Sequence, residues 1–92
     1  MATDVRNAPD RSRYELHIDG QLVGIADYQE RDGALVMPHT EIAADRRGEG
    51  LGDVLVQGAL DDVRARGQKV VPACWFVREY VERHPEAADL LA

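Results

Sequence analysis

The sequence predicts a mixed α+β fold: an N-terminal antiparallel meander, then a β-α-β-α half. Three observations carry this reading. Apolar and polar residues alternate from Tyr14 to Ile42 with turn signals between the runs, the period then lengthens to that of a helix from Leu55 to Val63, and a short apolar strand and a second helical stretch follow. Ninety-two residues, 45% hydrophobic and 30% charged, suffice for one core and not for two, so a single domain over residues 13–92 is expected.

Residues 1–12, MATDVRNAPDRS, are polar, contain Pro9 and follow neither common period, so they read as a flexible lead-in. Tyr14, Leu16 and Ile18 then alternate with Glu15, His17 and Asp19, and Gly20-Gln21 turns the chain into LVGIADYQE, a hairpin pattern. Asp32-Gly33 is a second turn signal. In ALVMPHTEIA, Pro38 removes a ladder donor and predicts an edge, a bulge or a break. The strand beginning at Tyr14 or the one near Ala34 is expected at a sheet edge, with a monomer or a weak homodimer as the assembly.

Leu55, Val56, Ala59, Leu60 and Val63 share one helical face, with Asp53, Gln57, Asp61 and Arg64 opposite, until Gly67 ends the helix. QKVVPAC is a strand reached by a helical crossover and so runs parallel to the strand ending near Ile42. Phe76, Val77, Tyr80, Val81 and His84 repeat as a second helix stopped by Pro85, after which Leu90 and Leu91 dock the tail.

The net charge of −6 argues against a nonspecific hold on nucleic-acid phosphates or on an anionic membrane surface. One cysteine cannot close an internal disulfide, and one Cys with three scattered His offers no four-ligand metal cluster without carboxylates, so no metal is expected. No apolar run approaches the length of a membrane span and no apolar leader is present, so the cytoplasm is the expected compartment.

The densest functional cue is Arg46-Arg47-Gly48-Glu49-Gly50-Leu51-Gly52, placed after a strand and opening a helix. Free amides at a helix start with two arginines beside them form a site for phosphate or pyrophosphate. No Lys-Ser/Thr follows, so this is not a Walker loop, and the evenly spaced glycines do not match the dinucleotide GxGxxG. A flexible strand-to-helix turn is the plainer alternative.

Arg47-Gly48-Glu49-Gly50-Leu51-Gly52 fits the Arg/Gln-x-x-Gly-x-Gly/Ala acyl-CoA motif, and the chain from Tyr14 to Leu91 resembles the very short, single-domain branch of the GCN5-related N-acetyltransferase (GNAT) superfamily. His39-Thr40-Glu41 upstream, Pro72-x-Cys74 downstream and His84-Pro85 strengthen the likeness. The resemblance implies a GNAT-like mixed sheet whose parallel pair splays apart into an acyl-CoA notch. It also implies that Arg46, Arg47, Gly48, Glu49, Gly50, Leu51 and Gly52 wrap the pyrophosphate, with the pantetheine arm in the notch beside Ile42. Acetyl-CoA, with CoA as its product, is the implied cosubstrate. The implied acceptor is an amine, on a small molecule or a protein.

Cys74, at a strand end before a helix, is where a thiolate nucleophile could form, or else a small buried hydrophobe. The resemblance, to a branch in which this cysteine lines the notch, adds an acyl-Cys74 intermediate as one route. His39 suits a general base for an ammonium or for the thiol, against a strand histidine that steadies the Pro38 irregularity; Glu41 is a second proton acceptor. The superfamily often takes an acid from a tyrosine on the following helix, which here is Tyr80. His17 is expected at the surface and His84 at a helix cap, Asp61 and Asp62 in solvent, Phe76 in the core, and Trp75 in the core or the acceptor wall.

The helices that full-length members carry between their first two strands are missing, since only Gly20-Gln21 separates LHID from LVGI, so the acceptor side is open or completed by a partner. An acyl-CoA-dependent N-acyltransferase is the leading function. The alternatives are a CoA-binding module with little or no turnover and an interaction domain whose loop binds nothing.

Overall fold

The structure, a computed structural model, describes residues 2–92. Its sheet has the order β1 (Thr3–Ala8), β2 (Arg13–Ile18), β3 (Gln21–Arg31), β4 (Ala34–Ile42), β5 (Lys69–Val71), with α1 (Leu51–Ala65) between the last two strands and α2 (Trp75–Arg83) after them. The first four strands are antiparallel neighbours; β5 joins β4 in parallel, as a crossover through a helix requires. Both hairpins turn on Asp-Gly pairs, Asp19-Gly20 and Asp32-Gly33, in which both residues have positive φ, the geometry that matches strand twist. The first turn thus lies one residue earlier than Gly20-Gln21, and Gln21 already pairs with Ile18.

Within residues 1–12, of which Met1 lies outside the described residues, part of the lead-in is a strand. Residues 3–8 form β1, paired along its length with β2. Val5, opposite Leu16, lies so close to α1 that a Cβ on Gly58 would fall 2.5 Å from the Val5 Cβ, and Asn7 accepts a 2.6 Å hydrogen bond from the Tyr28 hydroxyl. A strand anchored by one apolar residue and one amide carries no periodic signal. The edge assignment changes with it: the edges are β1 and β5, whereas the strands starting near Tyr14 and Ala34 are interior. The first two strands are joined by Pro9–Arg11, a single 3-10 turn.

Pro38 makes a bulge. Asp27 faces His39 and Gln29 faces Val36, so Met37 and Pro38 together oppose Tyr28 alone, and the missing N–H falls where the ladder is already interrupted. Residues facing each other across antiparallel strands share a side of the sheet. Tyr14, Leu16, Gly24, Ala26, Thr40 and Ile42 therefore point toward α1, while Glu15, Ile25, Asp27, His39 and Glu41 point away. Leu55, Val56, Ala59 and Val63 of α1 are fully buried against the first set together with Val70 and Val77. Asp62 is not simply solvated, since it accepts a 2.7 Å hydrogen bond from the buried Tyr14 hydroxyl. In the tail Leu90 is buried, and Leu91, more exposed, bridges to Val70. No described helix is long and apolar enough to cross a membrane.

The far side of the sheet holds one buried carboxylate, Glu15, which is 3% exposed. His17 Nε2 lies 3.0 Å from Oε1; Arg13 Nε and Arg11 Nη1 donate to Oε2 at 2.8 and 3.0 Å. His17 is thus half-buried on Glu15 and not a plain surface residue. The His17 and Arg13 hydrogen bonds hold the Glu15 carboxyl at about 2 against the opposing effect of burial, with Arg11 assisting. A carboxyl lowered from 4.5 to about 2 stabilises the fold fully above pH 4.5 and loses that contribution as pH falls toward 2. Glu15→Gln is expected to cost about 1–3 kcal/mol at pH 7, and urea denaturation should show the gap to the parent closing below pH 4.5.

Candidate functional site

β4 and β5 pair at three positions only, Ala34 with Lys69, Leu35 with Val70 and Val36 with Val71. The Ala73 amide, which would continue the ladder, instead donates to the Val71 carbonyl at 3.0 Å. The last tie is the Cys74 amide, which donates to the Met37 carbonyl at 2.8 Å before α2 leads the chain away. β4 continues without β5 to Ile42, still paired with β3. The Ala43 amide donates to Val23 of β3 at 2.8 Å, so alternation turns the backbone groups of Ile42 and Thr40 outward, into the gap.

The divergence opens a cleft of about 530 Å³. His39, Thr40, Glu41 and Ile42 line it from β4, the arginine-glycine loop and the first turn of α1 from one side, and Trp75 and Phe76 from the other. His39 and Glu41 pair at 3.7 Å and are more than half exposed, both on the side of the sheet that no helix covers.

In the loop, Arg46 is held to Glu49 at 3.1 Å, and Arg47 Nε donates to the Ile42 carbonyl at 3.1 Å, tying the loop to the end of β4. Gly50 takes φ +74° as the N-cap of α1, and no side chain caps that helix. Its first amides are therefore left for another acceptor. A Cβ on Gly50 or Gly48 would meet nothing within 4 Å, so it is the left-handed backbone that calls for glycine at both positions. Gly52 is required for a different reason. A Cβ there would lie 2.5 Å from Phe76 Cζ, so the Phe76 ring sits on Gly52 and forms the cleft wall while its other contacts reach the core. Asp53, an acidic residue at this helix start, is bound by Arg83 of α2 at 3.0 Å, which offsets its repulsion of an incoming anion.

The predicted site residues are only partly brought together. Ile42, the loop residues, Leu51, His39 and Glu41 converge on the cleft; Glu49 stands behind it as the partner of Arg46. Cys74 is 9% exposed, caps α2 and is not among the cleft's lining residues, and His39 pairs with Glu41. Tyr80 lies elsewhere: it is buried, its ring stacks on His84 at 3.9 Å, and it borders a second cleft of about 570 Å³ between α1 and the 3-10 turn Pro85–Leu90. Axial position explains this: Tyr80 shares a helix face with Phe76 but lies about a turn further along α2, away from the end that meets the cleft. His84 faces inward too, its Nδ1 2.8 Å from the Tyr80 carbonyl. Trp75 is 66% exposed in the cleft and Phe76 half-buried, edge to face with it. Two features escape sequence reasoning: the seating of Phe76 on Gly52, and Thr40, whose Oγ1 is buried without a hydrogen-bond partner. Among the described residues no group of three or more His, Cys, Asp or Glu could hold a metal ion.

The family model described as GCN5-related N-acetyl-transferase matches residues 13–90, most of the chain. The chain belongs to that family. A GCN5-like protein of Staphylococcus aureus, solved in solution by NMR, is 15% identical and superposes with a TM-score of 0.72 over 97% of this chain and 87% of its own. The crystal structure of a ribosomal-protein-alanine N-acetyltransferase from Brucella melitensis biovar Abortus is 20% identical, with a TM-score of 0.56 over 83% of this chain and 63% of the other. At these identities the two structures establish a GNAT-like fold. No curated protein matches the chain at a significant level.

Gly52→Ala in this GNAT-fold chain should displace Phe76 more than it disturbs α1, since alanine favours a helix by up to about 1 kcal/mol and the clash is with the tip of a half-buried ring. The expected result is a small change in Tm together with altered Trp75 fluorescence, because that indole contacts Phe76 at 5.8 Å between centroids.

Proposed function

We propose that the protein transfers an acyl group, acetyl by preference, from acyl-CoA to an amine, with the β4–β5 cleft as the donor site. The observation that carries this reading is the joining of three features in one cleft: the outward backbone of Thr40 and Ile42, the uncapped start of α1, and the His39–Glu41 pair. The uncapped amides with Arg46 and Arg47 fit a pyrophosphate, and the strand edge fits an extended amide-bearing arm. Most of this binding comes from backbone groups, which is how a chain of net charge −6 can take up an anionic donor.

The acceptor reaches the thioester from the side of the sheet that no helix covers. His39 or Glu41 removes a proton from the ammonium, the free amine attacks the thioester carbon, and the C–N bond forms as the C–S bond breaks and sulfur leaves as a thiolate that is then protonated. With β1 in place, the first two strands are joined by the short 3-10 turn Pro9–Arg11 and not by Gly20-Gln21, so it is there that the helices implied by the resemblance are missing, which favours an acceptor presented on a large or flexible molecule.

Direct attack is the route favoured by the exposure of His39 and Glu41 in the cleft against the burial of Cys74. Calorimetry with CoA and acetyl-CoA tests the donor site: both should bind, and Gly50→Val should weaken both, whereas an unchanged Kd removes the loop from the site. For the route, Cys74→Ala should retain most of the transfer rate. An adduct of about 42 Da on the parent protein after incubation with acetyl-CoA, lost with transfer in Cys74→Ala, would establish the acyl-cysteine route instead. His39→Ala and Glu41→Gln should lower kcat by about 10–100-fold while leaving Kd for CoA unchanged; binding without any transfer to amines would mark a CoA-binding module.

A further inference from the structure

Thr40 stands between His39 and Glu41, but its side chain lies on the opposite, helix-facing side of the sheet, across from Ala26. Its Oγ1 is buried and has no hydrogen-bond partner, the one such side-chain atom among the described residues. Every other buried polar side-chain atom described is satisfied, including the four-group network on Glu15. Valine would fill the same β-branched shape at this strand position without stranding a polar group, so the hydroxyl is a net cost to the folded protein by itself.

The position of the orphan gives it a use. Thr40 contributes to the cleft wall, while its hydroxyl is withdrawn from the cleft. One staggered step about χ1 exchanges that hydroxyl with another substituent of Cβ, and threonine divides readily between such rotamers. A hydroxyl with no acceptor has no bond to give up on turning. A carbonyl oxygen placed in the cleft would supply the acceptor it lacks.

We propose that Thr40 is a ligand-binding residue whose hydroxyl donates a hydrogen bond to a carbonyl oxygen of the acyl-pantetheine arm. The assignment rests on the acyl-CoA reading of the cleft and deepens it. The arm offers two sources of that chemistry, the thioester carbonyl and the amide carbonyls, and CoA lacks the first. The hydroxyl stays unsatisfied in the free protein and is satisfied in the complex, so stability and affinity should respond to its removal in opposite directions.

The test compares the parent chain with Thr40→Val and Thr40→Ser by thermal melting without ligand and by calorimetry with CoA and with acetyl-CoA. Thr40→Val is expected to raise Tm by about 4 °C or more and to weaken acetyl-CoA binding about fivefold. Thr40→Ser should keep the parental affinity. Weakening for acetyl-CoA alone assigns the bond to the thioester carbonyl; equal weakening for both ligands assigns it to an amide carbonyl. Unchanged affinity for both ligands in Thr40→Val overturns the proposal, even with a higher Tm. A lower Tm with weaker binding also overturns it, as the sign of a packing role. A parent chain that binds neither ligand refutes the acyl-CoA reading itself, a result visible before any Thr40 variant is compared.

Discussion

The cleft exists because the β4–β5 ladder stops after three residue pairs. In a parallel pair only alternate residues bond to a given neighbour, and the Ala73 amide, next in that alternation after Val71, is turned back onto the Val71 carbonyl at 3.0 Å. The Cys74 amide still reaches the Met37 carbonyl, so the strands part at a defined place and are not simply frayed. Everything in the candidate site follows from that separation. β4 keeps an unpaired edge from Thr40 to Ile42, Arg47 ties the glycine loop to it through the Ile42 carbonyl, and α2 starts where Trp75 and Phe76 can face the gap. A continuous pairing out to Ile42 would leave a loop and a helix terminus with nothing to open onto.

The electrostatics are local. A chain of net charge −6 presents a cleft where Arg46 and Arg47 sit beside uncapped amides, and where the one carboxylate of the first helical turn, Asp53, is neutralised by Arg83. The same α1–α2 contact that balances Asp53 also holds Phe76 over Gly52, so charge and shape at the cleft depend on one interhelical seam. On the other side of the sheet, Glu15 draws in Arg11, Arg13 and His17, while His39 and Glu41 stay exposed beside the gap. Two neighbouring polar clusters on one surface thus differ in kind: one is satisfied and buried, the other paired and exposed to solvent.

Much of this was legible in the sequence. Alternation from Tyr14, the turn signals at Gly20-Gln21, one residue late, and at Asp32-Gly33, and the switch to a helical period located β2 to β4 and α1, and Arg47 to Gly52 located the loop, because each rests on local periodicity or on backbone demands that few residues meet. Strand β1 was hidden, since its contacts are to Gly58 and Tyr28, far along the chain, and its own residues are mostly polar. The sheet edges were misplaced as a direct result. Tyr80 was read from the resemblance and Cys74 from its place at a strand end before a helix, yet Tyr80 lies a turn along α2 from the cleft and borders another one, and the Cys74 amide is tied to Met37 at the end of the splay. Gly52, read as part of the phosphate loop, is also the seat of an aromatic ring, and Thr40 showed no sign at all, because an unsatisfied atom is a property of three-dimensional neighbours.

The most direct measurement is a two-dimensional amide NMR titration of the protein with CoA. The account predicts perturbations confined to Thr40–Ile42, Arg47–Asp53 and the Trp75 indole, the two sides of the β4–β5 divergence. Perturbations centred instead on Tyr80, His84 and Leu90, around the second cleft, would contradict it, as would a spectrum that CoA leaves unchanged.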